Sequence, residues 1–334
     1  MKTFLQVILN SLYIYSSNIS WSVLSYPSTD PVKNSLNVAS PSLTSEYWIS
    51  TFKSNDRPIF CGSFPEWVEY SSLSAYDDNG IVIQNSSVNS YQILNYSCIN
   101  LLEDVSDQSL SRPYAVIHRV YRSPIHPQSL QPSEKFSISL NNKTQALATE
   151  EQARNSGKQL ESELQKTVGK DHSDIFSNTK LYKPSERHLS GLFPNEDALY
   201  LITSPTRNKS CIRIQSCLGD ELPWIKYIGF ITTDMYTTAT SGTVELKWRT
   251  CYTLFVTRPT YSTLSCGYDS KNKTHYSLLW DVGVIFPTLV MRIIDISCSM
   301  GECRYGINNI THMISSSRCQ NILGSLYPNK ITFS

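Results

Sequence analysis

Hydrophobic and polar positions alternate most cleanly between residues 243 and 249, where Val244, Leu246 and Trp248 fall on one side and Glu245, Lys247 and Arg249 on the other. A period of two gathers the apolar set on one face of a strand but scatters it around a helix, so this stretch reads as a half-buried strand. Beyond Arg249 the pattern becomes the near-continuous run Cys251 to Val256, as in a strand covered on both faces, and Pro259 then removes a ladder donor and ends it. Taken as one element, Thr243 to Val256 is long against the usual ~5–6 residues. Before it, Ile225 to Thr232 is rich in β-branched and aromatic residues, and Asp234 to Gly242 is a polar connection with explicit turn chemistry.

The same signals recur along the chain. Tyr47-Trp48-Ile49 opens the ordered part, and Asp77-Asp78-Asn79-Gly80 is a turn ahead of a strand at Ile81-Val82-Ile83. Further strands fit Ser90 to Leu101, Tyr114 to Tyr121, Ala198 to Thr203 and Cys211 to Ser216. Residues 145–168 change character: Ala, Leu, Glu, Gln and Lys predict a helical insertion, split at Asn155-Ser156-Gly157. Val282 to Ile294 is the most apolar run, yet Asp281, Pro287 and Arg292 interrupt it, so no spanning helix of ~20 apolar residues is available. No internal repeat is visible. Short strands spaced by turns, with one helix, predict a mainly β fold, an antiparallel β-sandwich with one helical insertion and a small Cys-containing C-terminal module. The expected organisation is a signal-like or extended arm over 1–45, the sandwich over 46–260 and a projecting module over 261–334.

Composition narrows the function. The chain has 334 residues, 40% hydrophobic and 17% charged, enough apolar material for a core. A net charge of +1 offers no clustered cations for phosphate, and the first sixty residues hold only Lys2, Lys33, Lys53 and Arg57. Met1-Lys2 followed by Phe4 to Tyr15 has the layout of a signal peptide, with an extended surface arm as the alternative. Of the nine cysteines, Cys211 with Cys217 and Cys298 with Cys303 are close enough in sequence to bridge across a turn, and the odd total leaves one over. Asparagine acceptor motifs stand at Asn18, Asn85, Asn95, Asn142, Asn208, Asn272 and Asn309. No G-x-S-x-G, phosphate loop, H-E-x-x-H or dinucleotide fingerprint occurs, and His275 and His312 have no ligand-like neighbours in sequence, so neither catalytic residues, metal nor cofactor are expected.

The segment Gly242, Val244, Leu246, Trp248, Tyr252, Leu254, Phe255, Pro259 resembles the last strand of the jelly-roll coat proteins of small icosahedral positive-strand RNA viruses. That resemblance covers about a tenth of the chain. It implies a jelly-roll sandwich, a self-assembling capsid subunit in a virion, and a partnership with itself and with genomic RNA. In the absence of a basic arm, RNA would then meet a folded inner surface carrying Arg112, His118, Arg119 and Arg122. The competing expectation is a secreted or virion-surface N-glycosylated, disulfide-containing glycoprotein that binds a receptor or other host partner, for which the 20 tyrosines suit an adhesive surface.

Overall fold

The computed structural model describes residues 22–25, 42–62, 68–77, 82–89, 97–105, 113–122, 136–140, 143–144, 198–203, 209–217, 227–234, 240–246, 251–260, 263–284, 287–294 and 330–333. The expected helix over 145–168 lies outside them. The described chain is mainly β, in largely antiparallel sheets. It divides into two compact units, one holding residues 1–170 and 190–194, the other 171–189 and 195–334.

The first unit contains β1 (Ser22–Ser25), β2 (Glu46–Phe52), β3 (Ile59–Gly62), β4 (Val68–Tyr76), β5 (Val82–Asn89), β6 (Ser97–Asn100), β7 (Tyr114–Arg122), β8 (Phe136–Leu140) and β9 (Lys143–Thr144). They form a sheet in the order β1-β2-β7-β4-β5 and a second in the order β6-β3-β8-β9. Alternation along β7 sets the layers. Val116 and Val120 share a face with Trp48 and Phe52 of β2 and Leu73 of β4, and they pack on Phe60 and Ile138 of the other sheet. Ile117, Arg119 and Tyr121 point the opposite way.

The second unit contains β10 (Ala198–Thr203), β11 (Cys211–Cys217), β12 (Tyr227–Asp234), β13 (Thr240–Glu245), β14 (Cys251–Thr257), β15 (His275–Leu279), β16 (Pro287–Ile294) and β17 (Lys330–Phe333). Its sheets run β10-β16-β12-β13 and β15-β14-β11-β17, with the β14 to β15 pairing parallel. Leu201, Phe230, Met291 and Ile293 of the first meet Ile212, Ile214, Leu254 and Val256 of the second in one core.

Two expectations are corrected here. The stretch Thr243 to Val256 is not one strand: β13 ends at Glu245 and pairs with β12, whereas β14 begins at Cys251 and pairs with β11 in the other sheet. Alternation had marked which residues face inward, but a chain crossing between two sheets keeps its inward face and changes its neighbours. The boundary at 260 does not separate a C-terminal module either. β16, buried along its whole length, sits between β10 and β12, and β15 and β17 flank the other sheet. The most apolar stretch of the chain is therefore an inner strand of this unit, buried on both faces, and not part of a projecting module.

The two units are built on one plan. The order β2-β7-β4-β5 is repeated by β10-β16-β12-β13, and β6-β3-β8 by β14-β11-β17. Register repeats as well: Arg119 lies opposite Tyr47 and Ser72, and Arg292 opposite Tyr200 and Gly229. In each unit the arginine stacks on that tyrosine, at 5.8 Å for Arg119 over Tyr47 and 5.1 Å for Arg292 over Tyr200. Each unit also carries a disulfide between directly opposed residues of equivalent strands, Cys61 to Cys98 and Cys217 to Cys251. What repeats in the sequence is little more than Val116-Ile117-His118-Arg119-Val120 against Leu289-Val290-Met291-Arg292-Ile293. The units are not identical: β1 and β9 belong to the first alone, the connection from β16 to β17 (295–329) is longer than that from β7 to β8 (123–135), and a third difference falls among the described residues. The first passes from β6 to β7 through residues 101–113; the second passes from β14 to β16 through 258–286, which adds a 3-10 turn, Thr263–Cys266, and β15.

Candidate functional site

Where a plan is used twice, a segment longer in one copy is a place to look for function, and 258–286 is one, although its Leu278 and Trp280 also join the core. It is firmly anchored. Cys266 is bridged to Cys211 of β11, which ties the 3-10 turn to the sheet. At its far end Trp280 is buried, its indole N–H donating to the Thr288 carbonyl at 3.1 Å. The Thr232 hydroxyl donates to the Leu279 carbonyl at 2.9 Å, and the Asp281 N–H donates to the Ser241 hydroxyl at 3.0 Å. Held at both ends, the segment displays side chains on a rigid support.

After Cys266, Gly267 takes φ 86°, a left-handed conformation that suits glycine, and reverses the chain so that Tyr268 comes over Phe255 with ring centroids 5.8 Å apart. His275 packs on the same Phe255 at 5.1 Å, and its Nδ1 accepts the Asp269 N–H at 3.2 Å, so a neutral ring carries its proton on Nε2. Opposite Phe255 across the ladder, the exposed Arg213 places its guanidinium 5.6 Å from that ring. Lys330 and Thr332, both exposed, extend the polar face on β17. The large exposed hydrophobic residues among the described ones are Leu279 at 49% and Val282 at 88%, both in this segment. Tyr268, His275 and Arg213 thus sit on the buried Phe255, with exposed Leu279 and Val282 in the same segment as the first two.

Asn272 belongs to the same segment. It is exposed, its N–H donates to the Asp269 carbonyl at 3.1 Å, and its Oδ1 accepts both the Thr274 N–H at 3.0 Å and the Thr274 hydroxyl at 2.8 Å. Asn85 lies in β5 opposite Ser74. Asn18, Asn95, Asn142, Asn208 and Asn309 lie outside the described residues.

Of the expected RNA-facing set, His118 and Arg119 are buried. Arg119 is 2% exposed; it donates to the Ser74 hydroxyl at 3.0 Å and to the Tyr76 hydroxyl at 2.6 Å. Around it Tyr47, Tyr70 and Tyr121 pack edge to face, with the Tyr47 and Tyr121 hydroxyls hydrogen-bonded. His118 is buried on the opposite face of β7, where burial first and the neighbouring Arg119 charge second push its pKa down to about 3. Arg122 ends β7, and Arg112 lies outside the described residues. The cation pattern was legible in the sequence; that both sheet faces are covered was not.

His118 Nε2 lies 3.0 Å from the Ser71 hydroxyl, a spacing that suits a nucleophile and base. Both side chains are sealed from solvent, so the contact satisfies buried polar groups without meeting a substrate. The cysteine pairing is also corrected. Cys211 and Cys217 do not bridge each other: they stand at opposite ends of one extended strand, about 20 Å apart at ~3.3 Å per residue. Cys211 pairs with Cys266 and Cys217 with Cys251. Cys298 and Cys303 lie outside the described residues.

No known family model and no curated protein matches the chain. Among solved structures, an uncharacterized protein from Burkholderia cenocepacia is similar with a TM-score of 0.53 at 9% identity, covering 88% of this chain and 83% of that one. The VPA0106 protein from Vibrio parahaemolyticus aligns at a TM-score of 0.43 and 8% identity, over 99% of this chain and 100% of that one, and carries no argument at that score. The first similarity is one of fold alone.

Proposed function

We propose that the chain is a secreted or virion-surface, disulfide-stapled glycoprotein that binds a receptor or other host partner, acting by recognition and not by catalysis. The contact surface in this reading is the 263–284 segment with Arg213 and Phe255 beneath it. The observation that carries it is that every described cysteine is bridged, two of the bridges at equivalent places in the two units. Disulfides on this scale persist in oxidising compartments and are rare in reducing ones. The patch then supplies what binding requires: a rigid platform with tyrosine, arginine and aliphatic anchors, which lowers the ordering cost on association.

The competing reading is the jelly-roll coat subunit, which needs self-association and a cationic inner surface. Its strand motif, Gly242 to Pro259, is divided between two sheets. One experiment separates the two. The untagged full chain is expressed in eukaryotic cells, cytosol and medium are sedimented, and the products are weighed without reduction. A slowly sedimenting, fully bridged species in the medium is expected. Fast-sedimenting particles with free thiols would overturn this reading in favour of the coat, and a reduced cytosolic monomer would overturn it outright.

A further inference from the structure

We propose that Asn272 carries an N-linked glycan at the rim of the Tyr268 and His275 cluster; the inference rests on the secreted reading above. The side chain is exposed in a run of exposed residues from Asp269 to Thr274, between Tyr268 and the first residue of β15. Its Oδ1 is engaged by two donors of one residue, the Thr274 N–H at 3.0 Å and the Thr274 hydroxyl at 2.8 Å. With the oxygen engaged inside the turn of an exposed residue, Nδ2 is the carboxamide branch not used by these two bonds. The threonine two residues on is thus both the required part of the acceptor motif and the group that orients the asparagine.

In the transfer, Asn272 Nδ2 bonds to the anomeric carbon of an oligosaccharide held on a polyprenyl diphosphate. The bond from that carbon to the diphosphate oxygen breaks, the lipid diphosphate leaves with the electron pair, and the displaced amide proton passes to a base of the transferase. Nothing is oxidised or reduced. The folded chain accommodates the product: Asn272 is outside the strand ladders, whereas Asn85 sits within β5 against Ser74.

The test is peptide mapping of the full chain recovered from the medium of mammalian cells, with peptide-N-glycosidase (amidase) release in heavy-oxygen water, which converts each occupied asparagine to a labelled aspartate. Asn272→Gln and Thr274→Ala are run beside it. The expected result is a marked Asn272 and the loss of one glycan mass in each variant, with secretion retained. An unmarked Asn272 beside other marked asparagines would overturn this assignment and leave the secreted reading standing. No marked asparagine on a secreted, bridged chain overturns the assignment and the glycoprotein part of that reading while leaving a secreted binding protein, and a chain confined to the cytosol overturns both readings whole.

Discussion

Replacing Cys211 and Cys266 together by alanine isolates the staple that holds the added segment. Their sequence separation is 55, and a loop of that length closed in the unfolded chain corresponds to about 4 kcal/mol. The inner bridge, Cys217 to Cys251, already joins the two arms of that loop. With it in place the outer bridge closes only residues 211–217 and 251–266, and the increment falls to about 3 kcal/mol. Loss of the bridge acts on the second unit. It also frees the 3-10 turn, so Tyr268 and His275 lose their fixed seat over Phe255. Hydrogen exchange read by mass spectrometry reports both effects separately. Amides of β10, β11 and β16 should lose about 3 kcal/mol of protection, residues 263–279 should open locally, and β2 and β7 should be unchanged. A loss below about 1 kcal/mol in the second unit, or equal losses in both, would refute the staple argument.

Two further outcomes follow from buried groups in the first unit. His118 has its pKa lowered to about 3 by burial and by Arg119, while the unfolded chain takes up its proton near 6.5, so stability is full above the unfolded value and declines as pH falls from there toward about 3. The unfolding free energy of the native chain, read by denaturant titration, should fall by about 1 kcal/mol between pH 7.5 and 5.5, and His118→Gln should lose that contribution; an unchanged pH slope in the variant would exclude it. Arg119→Met removes charged hydrogen bonds to Ser74 and Tyr76 and should cost about 2–3 kcal/mol in urea unfolding without altering retention on a nucleic-acid column, and weakened retention at unchanged stability would contradict its buried placement.

By itself the sequence determined that the chain is built of strands and, over much of it, which side chains face inward. Val116 and Val120, or Leu254 and Val256, alternate because neighbouring side chains on a strand must point to opposite faces, and that constraint is local. Tertiary structure decided everything that depends on neighbours. Period two does not say which strand pairs with which, so one pattern from Thr243 to Val256 is shared between two sheets. It does not say what covers a face, so Arg119 read as an exposed cation and is buried among tyrosines. Cysteines six positions apart are near in a turn and far apart in a strand, which is why Cys211 found Cys266. The duplication stayed hidden because two copies of a sheet need only equivalent alternation and a few matched positions, such as Arg119 and Arg292, and no shared letters elsewhere. The candidate surface became visible only once that duplication was on the page, as a described segment between β14 and β16 much longer than its counterpart between β6 and β7.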